Sequence, residues 1–162
     1  MIVALSKPLA VAVDIVAWGG IHASTGYLVH RVPSSHFADD GWLYRARRWE
    51  HGGRTYVRWL GIKRWKHLLP EAGDLFRGGF DKAKLADRSD DHLVVYVQET
   101  RRAELGHWLA TAPAPLFFMW NPWYAAILLQ LYAVAVNGPC IASQRYNRLR
   151  ITRILGRRHD GR

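Results

Sequence analysis

The chain has 162 residues, a formal net charge of +10 and one cysteine, a length that suits one domain. Its mean hydropathy of −0.15 averages over segregated blocks: forty consecutive residues, Leu105 to Gln144, contain no Asp, Glu, Lys or Arg. That gap excludes a plain nucleic-acid binder, which the charge alone would fit, and the lone Cys140 excludes an internal disulfide.

Residues 8–29 form the first span candidate, with Lys7 as the only Lys or Arg before Arg31. The segment is not a secretory signal, because Asp14 interrupts it and the apolar run continues to Val29. Loops rich in Lys and Arg remain cytoplasmic, which places the N-terminus outside and Arg31 inside. Asp14 is an ionisable group at the outer end of the span, either hydrated or functional. His22, Ser24 and Thr25 require part of this helix to pack against other spans.

Residues 36–69 alternate aromatic and basic side chains. Trp59, Ile62, Trp65 and Leu69 recur at helical steps, with Lys63, Arg64 and Lys66 among the intervening positions. This predicts an amphipathic helix over 57–69 lying in the interface, with Trp59, Trp65 and Lys66 at headgroup depth. Pro70 to Gly73 ends it, Phe76 to Lys82 reads as a tight loop, and Arg88 to Asp91 as a charged connector. The next helix begins near His92.

That helix enters the membrane near Leu105. Since one span needs about 20 apolar residues, the uncharged run is long enough for a hairpin: one span over 105–120, a turn at Asn121-Pro122, and a second span over 123–141. Pro113 and Pro115 break or kink the first arm, and Asn137-Gly138-Pro139 loosens the second before it exits. The expected fold is an all-α membrane protein of about three transmembrane helices with cytoplasmic interfacial helices. It is a single, multi-pass cell-membrane domain: N-terminal span 8–29, cytoplasmic aromatic and basic region 30–104, hairpin 105–142 and basic cytoplasmic tail 143–162. A basic inner face suits anionic lipid headgroups.

Both borders of the uncharged run carry dense polar chemistry. At 100° per residue, His107 lies about 80° from Glu99 and about 60° from Glu104, so all three can share one quadrant of the helix. A carboxylate holding one imidazole nitrogen makes the other a better proton acceptor. Alternatively, Glu99 and Glu104 pair with Arg101, Arg102 or Arg145 and anchor the helix. Glu104-x-x-His107 also has the spacing of di-iron bundle ligands, but no second copy exists, so no metal is expected. At the other border, Gln144-Arg145-Tyr146-Asn147-Arg148 combines arginine forks suited to phosphate or carboxylate with amides suited to hydroxyls. Cys140 reads as a small buried residue.

Four stretches occur in order between the apolar spans: Arg64-Trp65-Lys66-x-x-Leu69-Pro70-Glu71-x-Gly73, Gly79-Phe80-Asp81-Lys82, Glu99-Thr100-x-Arg102-x-Glu104-x-x-His107-Trp108, and Asn137-x-Pro139 followed by Gln144 to Arg148. Together they resemble the glycosyl-4,4'-diaponeurosporenoate acyltransferase family, membrane enzymes that esterify the sugar of a glycosylated carotenoid. The resemblance implies transfer of a fatty acyl group to a sugar hydroxyl of such a glycoside or a related glycolipid. The donor that the resemblance implies is acyl-CoA or acyl carrier protein as co-substrate, with no further cofactor. On that basis His107, oriented by Glu104 or Glu99, is the expected base. Arg145 and Arg102 are expected to hold an anionic part of the donor or the oxyanion, and Asn137, Gln144, Tyr146, Asn147 and Arg148 to line the substrate site. The competing reading is a non-catalytic membrane subunit that anchors a glycosyltransferase of a lipid pathway.

Overall fold

The computed structural model describes residues 2–69 and 89–161. The expected stop at Pro70 to Gly73, the loop at Phe76 to Lys82 and the two motif stretches they belong to lie wholly or partly outside the described residues. Those residues contain helices, 3₁₀ segments and turns, and no strand.

Three long helices dominate: α1 (Lys7–Arg31), α4 (Asp90–Thr111) and α5 (Trp123–Asp160). Between α1 and α4 lie the short helices α2 (Arg54–Leu60) and α3 (Ile62–Trp65). Ser89 begins α4 by accepting a bond from the His92 amide at 3.3 Å, and Asp90 and Asp91 in the first turn complement the helix dipole. Helices α4 and α5 are antiparallel. At one end Leu93, Tyr96 and Val97 pack on Ile151; at the other, Ala114 and Phe117 from the connecting turn pack with Ala133 and Trp18 of α1.

Helix α1 is fastened at both ends. Asp14 Oδ1 accepts from Trp120 Nε1 and Asn121 Nδ2, each at 2.8 Å, so the carboxylate ties α1 to the turn between α4 and α5. At the opposite end Arg102 Nη1 donates to the Val29 and Val32 carbonyls at 2.8 and 2.6 Å. It thereby satisfies carbonyls that a helix terminus leaves open.

Two expectations change. Residues 105–120 are not one helix: α4 stops at Thr111, and Ala114–Met119 forms a 3₁₀ segment, because Pro113 and Pro115 lack the amides that would continue the ladder. Conversely, α5 runs unbroken through Asn137-Gly138-Pro139 to Asp160. The proline ring withdraws one amide from the ladder, a local loss that packing against α4 outweighs. Two helices, Lys7–Arg31 and Trp123–Asp160, are long and apolar enough to cross a membrane.

Residues 34–69 fold as a cap against α4 and α5. The predicted amphipathic helix over 57–69 divides at Gly61, whose φ of 57° is left-handed and ends α2. Ile62 is thereby turned fully inward against Tyr56 and Tyr146, whereas Trp59 remains 75% exposed. A second left-handed run, His51-Gly52-Gly53, turns the chain from the 3₁₀ segment Arg48–Gly53 into α2. His51 is its non-glycine member, at φ 45°, a conformation most side chains avoid.

Candidate functional site: a buried charge cluster, a histidine–asparagine pair and an apolar cleft

Where the cap meets the long helices, two carboxylates and two guanidiniums are buried together. Glu50 and Glu104 have no exposed surface, and Arg145 and Arg148 are 9% and 2% exposed. Arg145 uses all five of its N–H donors. Nε and Nη2 donate to Glu50 Oε1 and Oε2 at 2.8 and 3.1 Å. Nη1 donates to Glu104 Oε1 at 2.8 Å and to the Leu43 carbonyl at 2.9 Å, and Nη2 also reaches the Arg45 carbonyl at 3.1 Å. Arg148 Nη2 lies 2.6 Å from Glu104 Oε2, a close ion pair rather than an aligned hydrogen bond, and donates to the Tyr44 carbonyl at 3.1 Å. Two positive and two negative charges cancel, which is what allows burial at this depth.

Glu50 is the hub on the cap side. It also accepts from Tyr56 Oη at 2.6 Å and from the Arg47 amide at 2.5 Å. Burial pushes its carboxyl up, but hydrogen bonds from Arg145, Tyr56 and the Arg47 amide, with the Arg145 charge, outweigh burial and hold it below the usual carboxylate range. Burial pushes the Tyr56 phenol up, and its bond to Glu50 and that carboxylate's charge push it further.

One step along the α4–α5 seam, His107 Nδ1 lies 3.0 Å from Asn137 Oδ1. Asn137 is 1% exposed, and its Nδ2 donates to the Ala133 carbonyl at 3.0 Å. With the amide nitrogen so engaged, the amide oxygen faces the ring. In the neutral ring this arrangement puts the proton on Nδ1 and the accepting lone pair on Nε2. Thr111 Oγ1 donates to the His107 carbonyl at 2.8 Å.

Beside this pair a cleft of about 550 Å³ opens between the cap and the long helices. Trp42, Leu43, Arg47, Trp49 and Tyr56 form its cap wall, while Trp108, Thr111, Val134, Gly138, Ile141, Ala142 and Arg145 form the helix wall. On α4, Thr111 lies about 40° round the helix from His107, and on α5, Ile141 lies about 40° from Asn137. Neither member of the pair lines the cleft itself; their sequence neighbours Trp108 and Gly138 do.

The polar borders do converge, but in a specific pattern. Glu104 is joined to Arg145 and Arg148, and Glu99 to Arg102 at 3.0 Å, as in the anchoring alternative. His107 bonds to Asn137. Arg102 caps α1; Tyr146 is buried against Tyr56 and Ile62; Asn147 Oδ1 accepts from Lys66 Nζ at 2.8 Å; and Gln144 is half-buried on α5. Trp65 is half-buried and donates to the Leu60 carbonyl at 2.7 Å. Sequence reasoning missed Glu50 and Tyr56. A usable signal existed, since Glu50 is the one carboxylate among residues 41–69, a stretch with eight Lys and Arg. Among the described residues no group of three or more His, Cys, Asp and Glu is placed to hold a metal.

The sequence profile of the glycosyl-4,4'-diaponeurosporenoate acyltransferase family matches residues 40–157, a stretch that contains the cap and both arms of the α4–α5 seam. Two Staphylococcus aureus proteins bearing that name, from strains bovine RF122 / ET3-1 and MRSA252, are each 30% identical over 149 residues, 88% of this chain and 90% of theirs. No solved structure matches the chain. The chain belongs to the glycosyl-4,4'-diaponeurosporenoate acyltransferase family and is an acyltransferase.

Proposed function

We propose that this protein transfers a fatty acyl group from acyl-CoA or acyl carrier protein to a sugar hydroxyl of a glycosylated carotenoid, or of a related glycolipid, at the cell membrane. The observation that carries the reading is the His107–Asn137 pair: a buried amide fixes the imidazole as Nδ1–H, leaving Nε2 as the acceptor nitrogen. In the reaction Nε2 takes the proton of the sugar hydroxyl as its oxygen attacks the thioester carbonyl. The tetrahedral intermediate then collapses, the C–S bond breaks, and the imidazolium returns its proton to the departing thiolate. Spacing named Glu104 or Glu99 as the orienting group; this reading rests on Asn137. Asn137 takes the orienting position, while Glu104 and Arg145 hold the cap over the site.

Membrane placement is supported by exposed apolar rows. On α1 these include Leu9, Val11, Ile15, Val16 and Leu28; on α5, Ile127, Leu128, Leu131 and Val136. Contiguous apolar surface of this kind needs a partner phase. With α1 and the first half of α5 crossing the bilayer, and α4 entering beside them, the charge cluster sits at the inner boundary and the basic cap and tail face the cytoplasm. His107→Ala is the test. Product loss with normal insertion and accumulation is the expected result, and full activity in that variant overturns the assignment. Purified protein acylating a glycoside in detergent, with no other polypeptide present, excludes the anchoring-subunit alternative.

A further inference from the structure

We infer that the cleft between the cap and α4–α5 is the binding site for the acyl chain of the donor, with the α5 row Val134–Gly138 setting how long a chain it takes. The inference rests on the acyl-transfer reading above and assigns the cleft to one of its two substrates. A volume of about 550 Å³ lies inside the range of roughly 300–1,000 Å³ for sites that bury one small ligand. It cannot enclose a carotenoid glycoside and a donor together. Physical chemistry separates the two. A carotenoid already dissolved in hydrocarbon gains little from entering an apolar protein groove, because lipid tails are as apolar as leucine. A fatty chain delivered from water on a soluble thioester gains the full transfer free energy of every methylene it buries.

The shape agrees. The lining runs along α5 from Arg145 to Val134, a rise of about 16 Å. Its wall is apolar at Leu43, Val134, Gly138, Ile141 and Ala142, with cations at the cap end. There Arg47 lies 5.3 Å from the centre of the Trp42 ring and donates to the Trp42 carbonyl at 2.7 Å. A thioester entering with its polar carrier at the Arg47 end therefore lays its chain along α5 toward Val134. Gly138 keeps the middle of the groove open: the nearest atom to a Cβ built there is Val134 Cγ1, at 3.9 Å.

The experiment is a donor series. Purified wild type, Gly138→Ala, Gly138→Leu and Val134→Phe are assayed with acyl-CoAs of increasing chain length against one glycoside. Val134→Phe narrows the same groove without placing a Cβ next to the Pro139 ring, so it separates a filled groove from a disturbed helix. The expected result is a selective loss: kcat/KM for the longest donors falls about tenfold or more in Gly138→Leu and Val134→Phe, while short donors stay close to wild type. A uniform loss at all lengths, or a raised glycoside KM with unchanged chain preference, overturns the inference. A second measurement does not depend on turnover: an ω-brominated fatty acid should quench tryptophan fluorescence saturably in wild type, through Trp42, Trp49 and Trp108, and much less in Gly138→Leu. Absence of saturable quenching in wild type also overturns it. Wild-type protein that binds the brominated acid but transfers no acyl group from any donor supports the inference and refutes the proposed reaction instead.

Discussion

Arg145→Lys distinguishes a fastener from a substrate ligand. Arginine at this position makes five hydrogen bonds, three to the Glu50 and Glu104 carboxylates and two to the Leu43 and Arg45 carbonyls. Lysine carries three donors on a single nitrogen, so at least two bonds disappear although the charge remains. Hydrogen bonds involving charged groups contribute about 1.5–3 kcal/mol each, giving a loss of about 3 kcal/mol at the low end. In a chain of this size each kcal/mol moves the melting temperature by about 2–4 °C, so the variant should melt about 6–12 °C below wild type. The assay is thermal unfolding in detergent followed by tryptophan fluorescence, with exposed Arg150→Lys as the control. If Arg145→Lys melts like the control while its donor KM rises, the residue serves substrate and the fastening argument is wrong.

Three further outcomes are expected. The folded Glu50 carboxyl sits below its ordinary range, so its contribution is complete above the unfolded value of about 4.3 and disappears as pH falls through the folded one. Glu50→Gln should therefore flatten the acid limb of a stability–pH curve, and identical acid limbs would refute the point. Asn137→Leu removes the Nδ1 acceptor, so kcat should drop by up to the whole general-base contribution, about 10²–10⁴-fold, with KM little changed. A raised KM with unchanged kcat would instead assign Asn137 to substrate binding. Gly61→Ala should cost about 1–2 kcal/mol from the left-handed backbone alone, since a Cβ there meets nothing within 4 Å. A rise in melting temperature would mean that the break between α2 and α3 is dispensable.

The long helices were legible because their signals are local. An uncharged run of forty residues and a proline pair both act within a few positions of themselves. The convergence of Glu104 and Arg145 was legible too, as a hairpin brings its ends together. Partner choice was not. Whether Glu104 holds His107 or Arg145 depends on which face of α5 meets α4, and a shift of one residue turns that face by about 100°. Glu50 was hidden for a different reason: its role arises from an irregular cap whose fold depends on the left-handed turns at His51-Gly52-Gly53 and Gly61. The continuity of α5 through Pro139 was obscured because local preference argues for a break there and tertiary packing overrides it.

Stability alone does not account for the charge cluster. Apolar residues of similar volume often replace a buried ion-pair network at no cost or with a gain. What they cannot do is donate hydrogen bonds to main-chain carbonyls, and Arg145 and Arg148 donate to three in succession: Leu43, Tyr44 and Arg45. These residues belong to a stretch between the 3₁₀ segments Ser34–Phe37 and Arg48–Gly53 that forms no regular helix of its own. The same stretch supplies Trp42, Leu43 and Arg47 to the outer wall of the cleft. A segment without its own backbone ladder needs outside donors to hold one shape, and the two arginines provide them from the rigid face of α5. Glu50 and Glu104 then neutralise the guanidiniums brought in for that purpose. The arginines shape the cleft wall, and the glutamates supply the charge that buried arginines need.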